Sequence, residues 1–466
     1  IEGGNTTIYD GQFTLNEAVR GGAIYVDGAN ATVKDMYFTT NNAIQGGSIF
    51  INGVNTNITG NTFYDNNATH SLSFNSSSVI NLTTKGGAIA VKGDYSTITY
   101  NNFTYNAAIG TNPTGGLGGA IAIDGYHTNI TDNIFNDNEA IRGGALYVNG
   151  TNTTIYNANF TYNRAIKGGA AYVNGVNTTV VNSQFKYNNA THNLTYNLNP
   201  IFDSVPAEGG AIDIVGNNTL LDNLLFSENN AIGVNPDGGL GGAVAVNGYD
   251  TKITDVSFDL NQAIKGGAVY VNGVLNSLNY TNFTSNSAIQ GGAVFINAFN
   301  TTILGCELDN NTATHDLRFS VSTELDKLTT FGGGVAIQGD DVNIINSTFI
   351  NNYCNRVGGA TTLHSDGDII DCIFINNSAG IYGGAISTGF EVNNISVNIN
   401  SCIFENNTAP MGGAIQVKGN NVRVINSTFN ENKATGTDGG ALFIMGNEAI
   451  IVNSTFNENF AKNIGA

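Results

Sequence analysis

A block of about 25 residues recurs along the whole of this 466-residue chain, and that period limits the fold more than any local propensity does. Over residues 143–165 the block reads GGALYVNGTNTTIYNANFTYNRA. A glycine pair opens it, and two aliphatics spaced by two follow (Leu146, Val148). An Asn-Gly turn and a Thr-rich approach to Ile155 come next, and Phe160 with Asn163 close the block. The Phe-x-x-Asn element returns at Phe38/Asn41, Phe135/Asn138, Phe185/Asn188, Phe258/Asn261, Phe283/Asn286 and on to Phe456/Asn459. Alternation of period two, β-branched residues and Asn-Gly turns predict about three short strands per block, and no helical periodicity competes with them.

Strands that repeat without a hairpin return must stack in parallel, and parallel crossovers are right-handed. The expected fold is therefore all-β, a right-handed parallel β-helix of about 16 coils occupying 1–466 as one domain. One coil buries about four large apolar side chains, too few to offset the ordering of its own backbone, so only a stack is stable. The Asn at Phe+3 is expected to form an internal amide ladder through the turns, carried by Asn41, Asn138, Asn163, Asn188, Asn261 and Asn286. The glycine pair suits a corner too tight for a Cβ.

The blocks are not uniform. Steps between glycine pairs lengthen in a pattern that recurs every four coils, giving super-repeats at about 46–167, 168–290 and 291–332 onward, with irregular coils over 333–466. The extra length falls at one turn, in long inserts 69–85, 191–208 and 314–331 and short ones 110–117 and 233–240. Up to residue 336 the outward position of the first strand is small in coils that come after an insert (Ala90, Ala122, Asp213, Ala245, Ala336) and aromatic in the others. Each insert is thus expected to fold over that cleared surface. The pairs Tyr25/Phe50, Tyr147/Tyr172 and Tyr270/Phe295 should stay uncovered, either as platforms for sugar rings or as staples between rungs.

Other features have two readings each. Cys372 and Cys402 hold equivalent places in neighbouring coils, within reach of a disulfide, or remain buried thiols. His70, His192 and His315 recur singly in the long inserts, as ligands or as local loop hydrogen bonds. Asn-x-Ser/Thr sequons number roughly two dozen, among them Asn57, Asn81, Asn129, Asn152, Asn177, Asn300, Asn346 and Asn426; they mark glycans if the protein is exported, turns and strands otherwise.

A formal charge of −19 with only 17 Lys and Arg argues against nucleic acid or an anionic membrane as partner. No apolar run is long enough to cross a bilayer, so this segment is not expected to insert into one. Acidic residues look scattered, no metal or cofactor motif is read, and the chain is expected not to be an enzyme, with a polysaccharide lyase or hydrolase as the less favoured alternative. It starts and stops in mid-repeat, which predicts a segment of a longer protein or a unit stacking end to end.

The joint motif GGA[ILV] with FxxN, as in Gly143-Gly144-Ala145-Leu146 and Phe160/Asn163, resembles the repeats of chlamydial polymorphic membrane proteins. With the acidic Asn/Thr-rich setting and runs such as 152–155 and 300–303, it looks still more like the adhesin-like surface proteins of methanogenic archaea. The resemblance implies a secreted, surface-displayed β-helix in adhesion or the cell envelope. The expected partners are cell-surface glycans or proteins, or copies of the chain itself in a filament or sheath.

Overall fold

The computed structural model describes the chain except residues 75–80, 111–114, 197–201, 234–236, 320–323, 390–394, 446 and 466. The backbone divides into two compact units, 1–233 with 243–248 and 234–242 with 249–466. Each is a right-handed parallel β-helix of eight coils. In one coil the strand after the glycine pair is Leu146–Val148 (first sheet). Thr154–Tyr156 (second) and Asn159–Thr161 (third) come next, and a two-residue strand, Arg164–Ala165, adds a fourth sheet beyond the three expected.

Registers match like with like. Phe135 pairs with Phe160 and Phe160 with Phe185, so their rings stack inside the coil at 4.7 and 4.5 Å. The corners between strands are single residues with positive φ, such as Asn152 (57°), Asn157 (49°) and Tyr162 (58°). Asn tolerates this region better than most residues, which is why the repeats are rich in it. At the glycine pair the demand is absolute. A Cβ on Gly143 would collide with Leu146 O, and one on Gly144 with Gly169 O.

The expected ladder is present and buried. In the first unit Asn41, Asn66, Asn106, Asn138, Asn163, Asn188 and Asn229 succeed one another, each Nδ2 donating to the next Oδ1 at 2.9–3.1 Å. Each rung also satisfies backbone: Asn138 Nδ2 donates to Phe103 O, and Asn138 N donates to Asn163 Oδ1, both at 3.0 Å. The second unit runs the same ladder from Asn261 through Asn286 and Asn311 to Asn459. Every rung thus offsets the desolvation of turn amides that water cannot reach.

A second column, two residues before each Phe, is filled differently in the two units. The first unit has Asn61, Asn101 and Asn133 as a short second ladder, which sequence reading missed. The second unit has Cys306, Cys372 and Cys402, and its cysteines are free and buried. Of the two readings of Cys372 and Cys402, the structure holds the thiols rather than the disulfide. Each donates to a carbonyl of the coil before it, Cys372 to Ile344 O (3.5 Å) and Cys402 to Ile369 O (3.5 Å), as Asn101 does to Ile58 O (3.0 Å).

The long inserts do not cover the first sheet as expected. They turn back over the fourth-sheet corner, where an outward isoleucine strip awaits cover. Leu194, Tyr196, Phe202 and Val205 pack on Ile141 and Ile166; Leu317, Phe319, Leu325 and Leu328 pack on Ile264 and Ile289. All three are pinned alike, with Ser73 N donating to Glu17, Thr195 N to Glu139 and Arg318 N to Gln262.

Candidate functional site

Two columns on the outer face of the first sheet build the candidate site. One is the residue just before each glycine pair, bridged from coil to coil in the orders Arg20–Gln45–Lys85–Leu117–Arg142–Lys167–Glu208 and Leu240–Lys265–Gln290–Phe331. The other is the outward strand position, where Tyr25 pairs with Phe50 and Phe50 with Ala90. The super-repeat therefore presents one pattern three times: a cation, two stacked aromatics, then a small or acidic residue. The aromatic pairs stack at 5.5, 5.6 and 5.6 Å, and Arg20, Arg142 and Lys265 lie 5.4–5.7 Å over the rings of Phe50, Tyr172 and Phe295.

The side chain one coil beyond each aromatic pair decides whether that place is open. At Tyr270/Phe295 the gap over Ala336 is filled by Phe331 and Val357. At Tyr147/Tyr172 it is filled by Asp213, which is fully buried and pairs in register with Tyr172. Asp213 Oδ1 accepts from Asn247 Nδ2 at 3.2 Å, and its Oδ2 has no partner among the described residues. Asn247 also donates to Glu208 Oε2 (3.1 Å), which pairs with Lys167 Nζ at 2.9 Å. Burial, and next the charge of Glu208, push the Asp213 carboxyl up to about 7, against the pull of Lys167 and Arg142. Burial likewise raises the Tyr172 hydroxyl.

At Tyr25/Phe50 the gap stays open. Ala90 leaves a groove of about 260 Å³ floored by Tyr25, Phe50 and Ala90. Arg20, Lys85, Lys92 and Asp124 also line it. Arg20 Nε donates to Gln45 Oε1 at 3.0 Å, and Lys85 pairs with Asp124 at 2.7 Å.

The expectation of uncovered aromatic pairs is accordingly corrected. Tyr25 is 38% exposed, but Phe50, Tyr147, Tyr172, Tyr270 and Phe295 are all at 8% or less. Leu117 packs against Tyr147 and Leu240 against Tyr270, so the residue ending each short insert does the covering. The exposed aromatics are elsewhere and were missed: Tyr162 stacks on Tyr187 at 4.9 Å and Tyr64 meets Tyr105 edge-on at 5.6 Å. Their signal was available, since Tyr105, Tyr162 and Tyr187 all stand at Phe+2, a positive-φ corner that must face water. The acidic residues are not all scattered either: Glu208 and Asp213, five residues apart in one coil, share the side-chain amide of Asn247 from the next.

The remaining residues keep to local work. His192 Nε2 donates toward Phe202 O (3.1 Å) and Val205 O (2.9 Å), a loop hydrogen bond. Among the described residues no group of three or more His, Cys, Asp or Glu is placed to hold a metal, and no helix is long and apolar enough to cross a membrane. Of the sequon asparagines, Asn81, Asn129, Asn177, Asn300, Asn346 and Asn426 are exposed, whereas Asn57 and Asn152 are half-buried. Asn177 Nδ2 also donates to Asn152 Oδ1 at 3.0 Å, so these residues have turn duties whether or not they carry glycans.

The Chlamydia polymorphic membrane protein repeat matches residues 371–389 and 401–418, which agrees with the repeat motif and with a β-helix repeat protein. No curated protein matches the chain. Among solved structures it is similar to an alginate lyase in complex with G6 (11% identity, 81% of this chain, 80% of that one, TM-score 0.41). It is also similar to the tailspike of E. coli bacteriophage HK620 with a hexasaccharide (12%, 91%, 73%, 0.44). A third is the Streptococcus pneumoniae surface protein and adhesin PfbA (11%, 94%, 92%, 0.31). The expectation that the chain is not an enzyme is withdrawn on this finding, because alginate lyases are among the similar structures. Similarity at this level assigns no reaction to this chain.

Proposed function

We propose that this chain is the β-helix of a cell-surface protein, adhesin-like or part of the envelope, that binds glycans on the outer face of its first sheet. The surface assignment rests on the polymorphic-membrane-protein type of repeat. The observation that carries the binding site is the open groove over Tyr25, Phe50 and Ala90. The exposed Tyr25 ring, backed by Phe50, offers a sugar ring an apolar surface, and the polar walls can meet its hydroxyls. The rigid coil holds these groups in place before any ligand arrives, which lowers the ordering cost of binding.

Screening the intact chain on a glycan array, followed by calorimetry with the best saccharide, tests this. Tyr25→Ala should weaken binding about tenfold, the order expected for one aromatic contact, without unfolding the chain. Absence of saccharide binding, or binding indifferent to Tyr25→Ala, would overturn the site.

A further inference from the structure

Building on the glycan-binding reading, we infer that the groove over Ala90 selects a saccharide carrying an anionic substituent, a uronic-acid carboxylate, held by Arg20 with Lys92. The chain has only 17 Lys and Arg against 36 Asp and Glu, yet three of those cations line this one groove with Asp124 as the single acid. Asp124 is already spoken for: Lys85 Nζ lies 2.7 Å from its Oδ2 and Asn149 Nδ2 donates to its Oδ1 at 3.1 Å. Beyond the lining, Asp27 accepts from Asn52 Nδ2 at 2.5 Å. Neither Arg20 nor Lys92 has a carboxylate partner among the described residues. A positive groove in an acidic molecule attracts an anion and steers its approach.

Arg20 is also pre-set for the task. Its Nε is tied to Gln45 and its guanidinium lies 5.4 Å over the Phe50 ring. Its terminal N–H groups remain to meet a carboxylate in a fork, a geometry that Lys cannot offer.

The strongest support comes from the second occurrence of the same pattern. There Arg142 lies 5.5 Å over Tyr172 as Arg20 does over Phe50, Lys167 stands in the place of Gln45, and Glu208 in that of Lys85. The position of Ala90 is taken by Asp213. The protein thus houses a carboxylate of its own beside a stacked aromatic pair and its guanidinium. The first occurrence has the same frame, with an alanine and open space where that carboxylate stands.

The test uses the intact chain in calorimetry with three tetrasaccharides: a uronic-acid oligomer, the same oligomer with its carboxyls reduced to alcohols, and the reduced oligomer bearing sulfate esters. The acid form should bind about tenfold tighter than the reduced one at low ionic strength, with the advantage shrinking as salt rises. Arg20→Gln, at an exposed position, should remove most of that advantage. Ala90→Asp, which copies the second occurrence, should abolish binding of the acid form while thermal melting confirms the fold.

Equal binding of acid and reduced forms, or an advantage unchanged in Arg20→Gln, overturns the inference and leaves a neutral-glycan groove. Preference for the sulfated form over the uronate overturns the carboxylate assignment. Failure of all three to bind counts against the glycan-binding reading itself.

Discussion

The outer face of the first sheet solves one problem in two ways within the first unit. At Tyr25/Phe50 the next coil offers Ala90 and Lys85, and a groove remains. At Tyr147/Tyr172 it offers Asp213 and Glu208, and the groove is filled from within by a buried carboxylate that lacks a partner for one oxygen. Frame, register and stacking are shared. Two side chains per coil turn an open groove into one filled from within.

Substitutions at matched positions sharpen that contrast, and urea denaturation can measure their effect on stability. Tyr147→Ala removes a ring packed among Leu117, Ala122, Tyr172 and Val215, and should cost about 3–4 kcal/mol. Tyr25→Ala, at a third-exposed ring, should cost about 1 kcal/mol. Equal losses would mean the two pairs are covered alike.

Lys167→Ala leaves Glu208 and Asp213 without their nearest cation, and should cost about 3 kcal/mol at pH 7.5. The matched Gln45→Ala should stay within about 0.5 kcal/mol. A small effect of Lys167→Ala would show that the acid pair is already solvated.

The Asp213 carboxyl is raised in the fold to about 7 from an ordinary value of 3.8. Between those values the folded chain holds a proton that the unfolded chain has released, so stability is full below about pH 4, falls as pH rises towards 7 and is level above it. Asp213→Asn should abolish this slope and leave the chain more stable than the unsubstituted one at pH 8. A pH profile identical to that of the unsubstituted chain would place the buried charge elsewhere. The smallest effect belongs to the open groove: Lys85→Met breaks the pair with Asp124, both partly exposed, and should change stability by no more than about 0.5 kcal/mol.

The ladder was legible because every rung is a copy. An amide repeated at one height has only its own neighbours to bond, so spacing alone implied Asn138, Asn163 and Asn188 in a column. The stacked aromatics were legible for the same reason, whereas the second column, amides at Asn61, Asn101 and Asn133 and thiols at Cys306, Cys372 and Cys402, was not read as one. Exposure was not. Whether Tyr147 faces water depends on Leu117, about 30 residues earlier and at the end of a different turn. The insert over Ile141 and Ile166 begins after both of them and folds back.

The sequence by itself determined the period, the parallel stack, the glycine corners and the polar columns, because those arise from placing equal blocks in register. Only the tertiary structure decided which aromatics are covered, which acids meet and where the groove lies. Those outcomes turn on residues that differ from coil to coil and touch across one strand spacing, and a repeat carries no record of its exceptions until neighbours are set side by side.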